Sequence, residues 1–302
     1  MVGKWSSVGF SDLADRLNEA VSWLGRFGIQ VERGRLGAYR KAINELVTLV
    51  AKKSSERRPA LFPKSANDLF EANEIATIHA AFADGRHDDF VRERLQAFAG
   101  GPLRYVDEDP SSSSNRPRDL AFELLVGARL IASGLQLEAA GLADVSATVG
   151  LQRLIFECKR PQSEKRIERR AIEARDQLLE RCRDASSVGV IAIDTTKLTN
   201  PDFRVLTGVS SVEGTRRLGA HLADFYRQRL HLWQRVASRR VVALLLRVSI
   251  LAHFSKDKSL SYCQQYLLVG LSTGGPVTRE TLERLSTALD TGADQDVDSA
   301  KM

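Results

Sequence analysis

The stretch DVSATVGLQRLIFECK, residues 144–159, contains two short runs in which apolar and polar residues alternate on either side of a glycine. A period of two is typical of β-strands with one buried face. Gly150 and Leu151 separate the runs, and glycine readily adopts the positive φ that a two-residue hairpin turn requires. The sequence therefore predicts an antiparallel hairpin in which Val149 pairs with Gln152.

Counting outward from this turn places Asp144 opposite Glu157, with both carboxylates on the same face. Directly opposed Cβ atoms are roughly 5 Å apart, and like charges at that spacing destabilise a hairpin. A hard divalent cation compensates for the repulsion, because Mg²⁺ prefers oxygen ligands and is usually held by one or two carboxylates and waters. Lys159 shares the face of Glu157, where its ammonium can orient or deprotonate a water or stabilise charge on a phosphate.

The segments around the hairpin predict a mixed sheet. A helix is expected over residues 118–133, apolar almost all round apart from Glu123 and Arg129. A charged amphipathic helix is expected over 163–183, with an inner stripe at Ile167, Ala171, Ala174 and Leu178. The continuous apolar run 187–195 predicts a strand covered on both faces.

Further along the chain, Ser210 and Glu213 match a capping box for a helix reaching about residue 237. Residues 240–251 and 264–271 then predict two more strands. The fold class expected is α/β, with a mixed β-sheet flanked by helices.

The pattern of Asp144, twelve intervening residues and Glu157-Cys158-Lys159, on a hairpin with a helix before it and a helix and strand after it, resembles the PD-(D/E)xK nuclease superfamily. The resemblance covers residues 118–196 and implies a restriction-endonuclease-like fold. It implies that Asp144 and Glu157 are metal ligands and that the backbone carbonyl of Cys158 completes the metal shell. Lys159 would be the catalytic lysine. Mg²⁺ is the expected cofactor, with Mn²⁺ as a possible substitute.

Two further residues match the family on the neighbouring helices. Glu123 corresponds to the acidic residue that many members carry before the hairpin, where it contributes to the metal site directly or through water. The alternative for Glu123 is a structural pair with an arginine, since buried carboxylates seldom lack a partner. Gln177 looks like the glutamine that some members place on the next helix, but this match is weaker, and a polar position on a solvated helix is the favoured alternative. Ala143 stands where the family often has proline.

The first hundred residues show helical spacing of apolar side chains, which predicts a helical N-terminal region over 1–106. The acidic, serine-rich and proline-containing segment 107–117 is expected to be a linker. The nuclease-like domain would then span 118–290, followed by a disordered polar tail over 291–302. We expect the helical region to select the substrate, a partner protein or a homo-oligomer.

Charge and composition narrow the class of protein. The net charge of +6 and the pI near 9.3 favour an anionic partner. The longest apolar run, 241–252, is too short for a membrane span and contains Arg247. The N-terminal residues lack the pattern of a secretory signal, so a cytoplasmic location is expected. Three cysteines without CxxC spacing favour neither a disulfide framework nor a zinc ribbon.

Residues 216–240 are rich in arginine and contain a single acid, Asp224. This composition predicts a phosphate-contacting surface. The candidate nucleic-acid-binding residues are Arg216, Arg217, Arg227 and Arg229.

The function expected is metal-dependent endonucleolytic hydrolysis of phosphodiester bonds, with DNA as the polymer in preference to RNA. A hypothesis from a different class is a catalytically silent nucleic-acid-binding or assembly module that keeps the fold. A third hypothesis, based on the resemblance alone, makes the protein the nuclease component of a bacterial antiviral defence or restriction-type system that is inactive by itself.

Overall fold

A mixed β-sheet forms the middle layer of the protein in the computed structural model, which describes residues 2–6, 9–32, 34–52, 62–108, 115–138, 143–184, 186–208, 210–254, 259–271 and 276–298. Within these ranges the strands are β1 (Val2–Ser6), β2 (Val145–Val149), β3 (Gln152–Lys159), β4 (Ser187–Asp194), β5 (Leu206–Gly208), β6 (Val241–Phe254) and β7 (Ser259–Gly270). The helices are α1 (Phe10–Gly25), α2 (Arg35–Lys52), α3 (Phe62–Phe82), α4 (Asp88–Phe98), α5 (Arg116–Ala132), α6 (Ile167–Arg181), α7 (Thr196–Thr199), α8 (Ser211–Arg227), α9 (Leu230–Val236) and α10 (Pro276–Asp298).

The strand order is β1-β7-β6-β4-β3-β2, and β5 pairs with the far end of β6. The β2–β3 hairpin is antiparallel, whereas β3, β4 and β6 run parallel to one another. A parallel pair needs a crossover, and α6 supplies it between β3 and β4. Every residue of β4 is buried, as the continuous apolar run 187–195 predicted. The α/β class with a mixed sheet and an N-terminal helical region is thus confirmed.

Helices cover both faces of the sheet because successive strand residues point to opposite sides. In β3, Leu154 and Phe156 join the hydrophobic cluster under α1–α5, while Ile155 joins the cluster under α6, α8 and α9. The predicted inner stripe of α6 is buried in this second cluster. None of the described helices is both long enough and apolar enough to cross a membrane.

The N-terminal region contains an element that the sequence did not predict. β1 pairs antiparallel with β7, with Trp5 opposite Cys263, and extends the sheet at its edge. Residues of α1–α4 also share one hydrophobic cluster with α5 and the sheet. The N-terminal region is therefore not purely helical, and its core is continuous with that of residues 118–290.

Three predicted boundaries need correction. The long helix expected from the capping box divides into α8 and α9, although Ser210 does accept the hydrogen bond from the Glu213 N–H. α10 extends to Asp298, through most of the tail expected to be disordered, and residues 299–302 lie outside the described residues. At the expected linker, Glu108 is buried among cations, α5 already begins at Arg116, and 109–114 lie outside the described residues.

Candidate active site

The β2–β3 hairpin has the predicted register. Val149 pairs with Gln152 and Val145 pairs with Phe156, so the next position outward places Asp144 level with Glu157. Gly150 in the turn has φ of 62°, a conformation that residues with a Cβ rarely adopt. The local sequence therefore brings the two candidate carboxylates together at the open end of the hairpin.

Asp144 and Glu157 converge on the same point. Asp144 Oδ2 accepts a hydrogen bond from the Cys158 N–H at 2.8 Å, which fixes the carboxylate against β3. Glu157 is fully buried, and its Oε2 lies 3.5 Å from Lys159 Nζ. Lys159 thus lies beside Glu157, with 10% of its side chain exposed. The predicted acid, acid and lysine set is assembled in one place.

Arg181, the last residue of α6, is a member of the site that sequence reasoning missed. Its Nη1 contacts Glu157 Oε1 directly and lies 3.9 Å from Asp144 Oδ1. A signal for it existed, because 181 continues the spacing of the buried stripe at 167, 171, 174 and 178. A charged residue at the next position of an apolar stripe faces the sheet and needs a partner there.

Glu123 approaches from α5, on the other layer, and is held by Arg94 of α4. Arg94 Nε donates to Glu123 Oε2 at 2.9 Å, and its Nη2 donates to the backbone carbonyl of Asp144 at 2.7 Å. Burial, and then the nearby Asp144 charge, raise the pKa of Glu123 to about 8, while Arg94 opposes this shift. The arginine partner considered for Glu123 is therefore present, and it comes from the N-terminal region.

The carboxylate oxygens of Asp144 and Glu157 are ligands of the kind that a hard cation prefers, although they are few. Among the residues that the structure describes, no three His, Cys, Asp or Glu side chains are grouped to hold one metal ion. One buried carboxylate, Glu157, and one half-buried carboxylate, Asp144, still suit Mg²⁺, which commonly keeps several waters and needs only one or two protein carboxylates. Glu157 Oε1 is buried and makes no hydrogen bond of ordinary geometry within the described chain, despite its contact with Arg181. The oxygen is therefore already in contact with one cation, the Arg181 guanidinium.

Gln177 lies one helical turn before Arg181 on α6. Its Oε1 is buried and accepts no hydrogen bond from the described residues. A solvated surface position does not account for a buried amide oxygen. Its role as the family glutamine stays a prediction.

The predicted nucleic-acid-binding arginines lie on and just after α8, which packs mainly on β6 and β7, at least two strands from β3. Arg217 pairs with Glu213 and Arg227 pairs with Asp224, and both pairs lie within α8. These pairs are exposed and easily exchanged for phosphate. The two remaining members differ, because Arg216 is exposed whereas Arg229 is largely buried between Glu164 and the Phe225 ring.

No family model matches this sequence, and no curated protein or solved structure matches it either. The resemblance to PD-(D/E)xK nucleases therefore rests on the hairpin residues and on the order of elements around them. The contacts of Asp144, Glu157, Lys159 and Arg181 are the basis for any assignment of function.

Proposed function

We propose that this protein is a divalent-cation-dependent nuclease of the restriction-endonuclease-like fold, acting on DNA in preference to RNA. The observation that carries the proposal is the convergence of Asp144 and Glu157, from opposite sides of one hairpin, on a single point with Lys159 alongside. Two carboxylates at one point, one of them fully buried, are costly unless cations lie beside them, and a divalent cation would meet this need together with Lys159.

The order of elements supports the same fold. A helix, an antiparallel hairpin, a crossover helix and a strand parallel to the hairpin's second strand follow one another as α5, β2–β3, α6 and β4. The catalytic residues of the superfamily lie on the corresponding hairpin and helices. The basic net charge favours a polyanionic substrate.

In this proposal Asp144, Glu157 and the Cys158 carbonyl would hold Mg²⁺, or Mn²⁺ in its place. The cation would supply Lewis-acid activation of the scissile phosphate and of water. Lys159 keeps its ammonium beside Glu157 and, being partly exposed, can donate to a phosphate oxygen or orient the attacking water. Glu123 adjusts the site from its edge through the Arg94 contact with the Asp144 backbone.

One observation favours the second hypothesis, a catalytically silent module that binds nucleic acid or assembles with other proteins. Arg181 already pairs with Glu157 and lies 3.9 Å from Asp144 Oδ1, as an arginine would in a site that has lost its cation. The third hypothesis, a nuclease component of a bacterial antiviral defence or restriction-type system, is compatible with the first. In that case the N-terminal helices would bind the partner, and the protein would act in the cytoplasm.

The experiment is incubation of the purified protein with plasmid, linear and single-stranded DNA and with RNA, in Mg²⁺, Mn²⁺ or EDTA. We expect cleavage in Mg²⁺ or Mn²⁺, none in EDTA, and loss of on the order of a hundredfold or more in Glu157→Gln and Lys159→Ala. Lys165→Ala, at an exposed position after β3, is the matched control and should cleave normally. Nucleic-acid binding without cleavage under all conditions would favour the silent module.

A further inference from the structure

Arg181 is the charged group at this site that the proposed reaction leaves unexplained. One guanidinium nitrogen contacts Glu157 Oε1 and lies 3.9 Å from Asp144 Oδ1, so it faces both proposed ligands. The side chain reaches this point from the last turn of α6. The Arg181 side chain is not fully enclosed, because 21% of it is exposed to solvent.

The positions required by Arg181 and by a divalent cation overlap. Mg²⁺ binds carboxylate oxygens at about 2.1 Å, so a cation shared by Asp144 and Glu157 lies between their oxygens. A guanidinium nitrogen in the same space would collide with the cation and repel it. Both cannot hold the pair of carboxylates at once.

Arg181 has a route away from the carboxylates that leaves the fold intact. Its backbone belongs to α6, whose stripe of Ile167, Ala171, Ala174 and Leu178 stays buried whatever the arginine does. An arginine has several rotatable bonds, and rotamer changes of partly exposed side chains occur in nanoseconds. Movement of the guanidinium toward solvent needs no rearrangement of the hairpin.

We propose that Arg181 competes with the divalent cation for Asp144 and Glu157, which makes it a positioning residue that sets the cation affinity of the site. Without the cation, Arg181 holds the two carboxylates side by side. When the cation binds, the guanidinium swings out to solvent. This inference rests on the proposed function only in assuming that the site binds a divalent cation.

The first test uses the unaltered protein and an arginine-specific dicarbonyl reagent such as phenylglyoxal, with modification read by peptide mass spectrometry. Arg181 should react slowly in EDTA and at least about fivefold faster in saturating Mg²⁺. Cation binding and release of the guanidinium are coupled in this proposal, and such coupling commonly changes an equilibrium about fivefold or more. Arg183, exposed two residues later, is the internal control and should react equally in both conditions. An unchanged or slower reaction of Arg181 in protein shown to bind Mg²⁺ would overturn the inference.

The second test compares Arg181→Ala with Arg183→Ala, which removes the same charge at an exposed position nearby. Arg181→Ala should bind Mn²⁺ about tenfold more tightly by calorimetry, since it no longer has to displace the guanidinium. It should also melt lower than the unaltered protein in EDTA and recover in Mn²⁺. Arg183→Ala should change neither quantity appreciably.

The outcomes separate this inference from the proposed function. If the unaltered protein binds Mn²⁺ and Arg181→Ala binds it equally or more weakly, competition is wrong while the nuclease proposal stands. If only Arg181→Ala binds Mn²⁺, competition is supported and the unaltered protein by itself is the silent module. If neither binds, the metal site and the inference both fail. Should Arg181→Ala not fold, the dicarbonyl reaction decides alone.

Discussion

At the scale of single residues, Glu123 links the chemistry of the site to the stability of the fold. Its carboxyl has a pKa raised to about 8 because it is buried and lies near Asp144, with Arg94 acting in the opposite direction. Between pH 4.5, the ordinary pKa of a glutamate, and about pH 8, Glu123 keeps a proton in the folded protein that it releases in the unfolded chain. The folded state is therefore favoured at low pH, and this contribution is lost as pH rises through that window.

Glu123→Gln removes the titration while keeping the shape and an oxygen that can accept from Arg94. In EDTA the variant should be more stable than the unaltered protein at pH 8, by one to a few kcal/mol, since each unit of pKa shift corresponds to about 1.4 kcal/mol. The difference should shrink toward pH 5. Urea denaturation from pH 5 to 9 measures it, with exposed Glu93→Gln on α4 as the control. A difference between Glu123→Gln and the unaltered protein that is independent of pH would contradict the assignment.

At the scale of elements, the hairpin and α6 could be predicted because their signals are local. Alternation around Gly150 fixed the register, and the apolar stripe of α6 fixed its buried face. β1 could not be predicted, because its partner β7 lies about 260 residues further along the chain. Arg94 was missed for the same reason, since its contacts with Glu123 and Asp144 depend on how α4 packs on α5.

The turn of the hairpin can be tested directly. Gly150→Ala places a side chain at φ of 62°, where a Cβ is strained even though the nearest atom, Arg284 Nη1, is 3.6 Å from it. The substitution should destabilise the protein by about 1–2 kcal/mol. Gly150→Asn should cost less because asparagine tolerates this region. Leu151→Ala, at a side chain 89% exposed, should have little effect. Equal urea midpoints for all three variants would argue against this turn.

At the scale of the whole molecule, buried ion pairs join the segment after α4 to α5 and to the residue that follows β3. Arg160 follows Lys159 directly and lies 3.3 Å from Glu108, which also pairs with Arg118 and Lys197. Burial raises the pKa of Glu108, but the three cations outweigh it and the pKa is lowered overall. Glu108 therefore stabilises the fold at neutral pH, and this contribution is lost as pH falls through its folded pKa.

Glu108→Gln leaves two buried arginines, Arg118 and Arg160, and the half-buried Lys197 without their shared carboxylate. Removing one partner from a buried ion pair typically costs about 3–5 kcal/mol when the other charge is left unpaired. Because Arg118 keeps Glu71 and Arg160 keeps Asp194, we expect a smaller loss of about 1–3 kcal/mol in the free energy of unfolding at pH 7. Glu32→Gln, which removes the exposed partner of Arg40, should cost less than about 1 kcal/mol. Urea denaturation of the two variants compares them. A loss no greater than that of Glu32→Gln would mean that the cations find other partners.

The shared core also predicts how the molecule unfolds. Trp23 lies in the cluster of α1–α5, whereas Trp233 lies in the cluster under α8 and α9, on the other side of the sheet. Two variants report on the two regions separately. One keeps Trp23 and carries Trp5→Phe and Trp233→Phe, and the other keeps Trp233 and carries Trp5→Phe and Trp23→Phe. Because β1 completes the sheet and α3 anchors Arg247 through Glu74 at 2.6 Å, the regions should lose their structure together. In each variant, the fluorescence transition should have the same urea midpoint as the loss of helical signal measured by circular dichroism on that variant. A Trp23 transition at a urea concentration well below the loss of helical signal would instead show that the N-terminal region unfolds on its own, as the linker predicted over 107–117 implies.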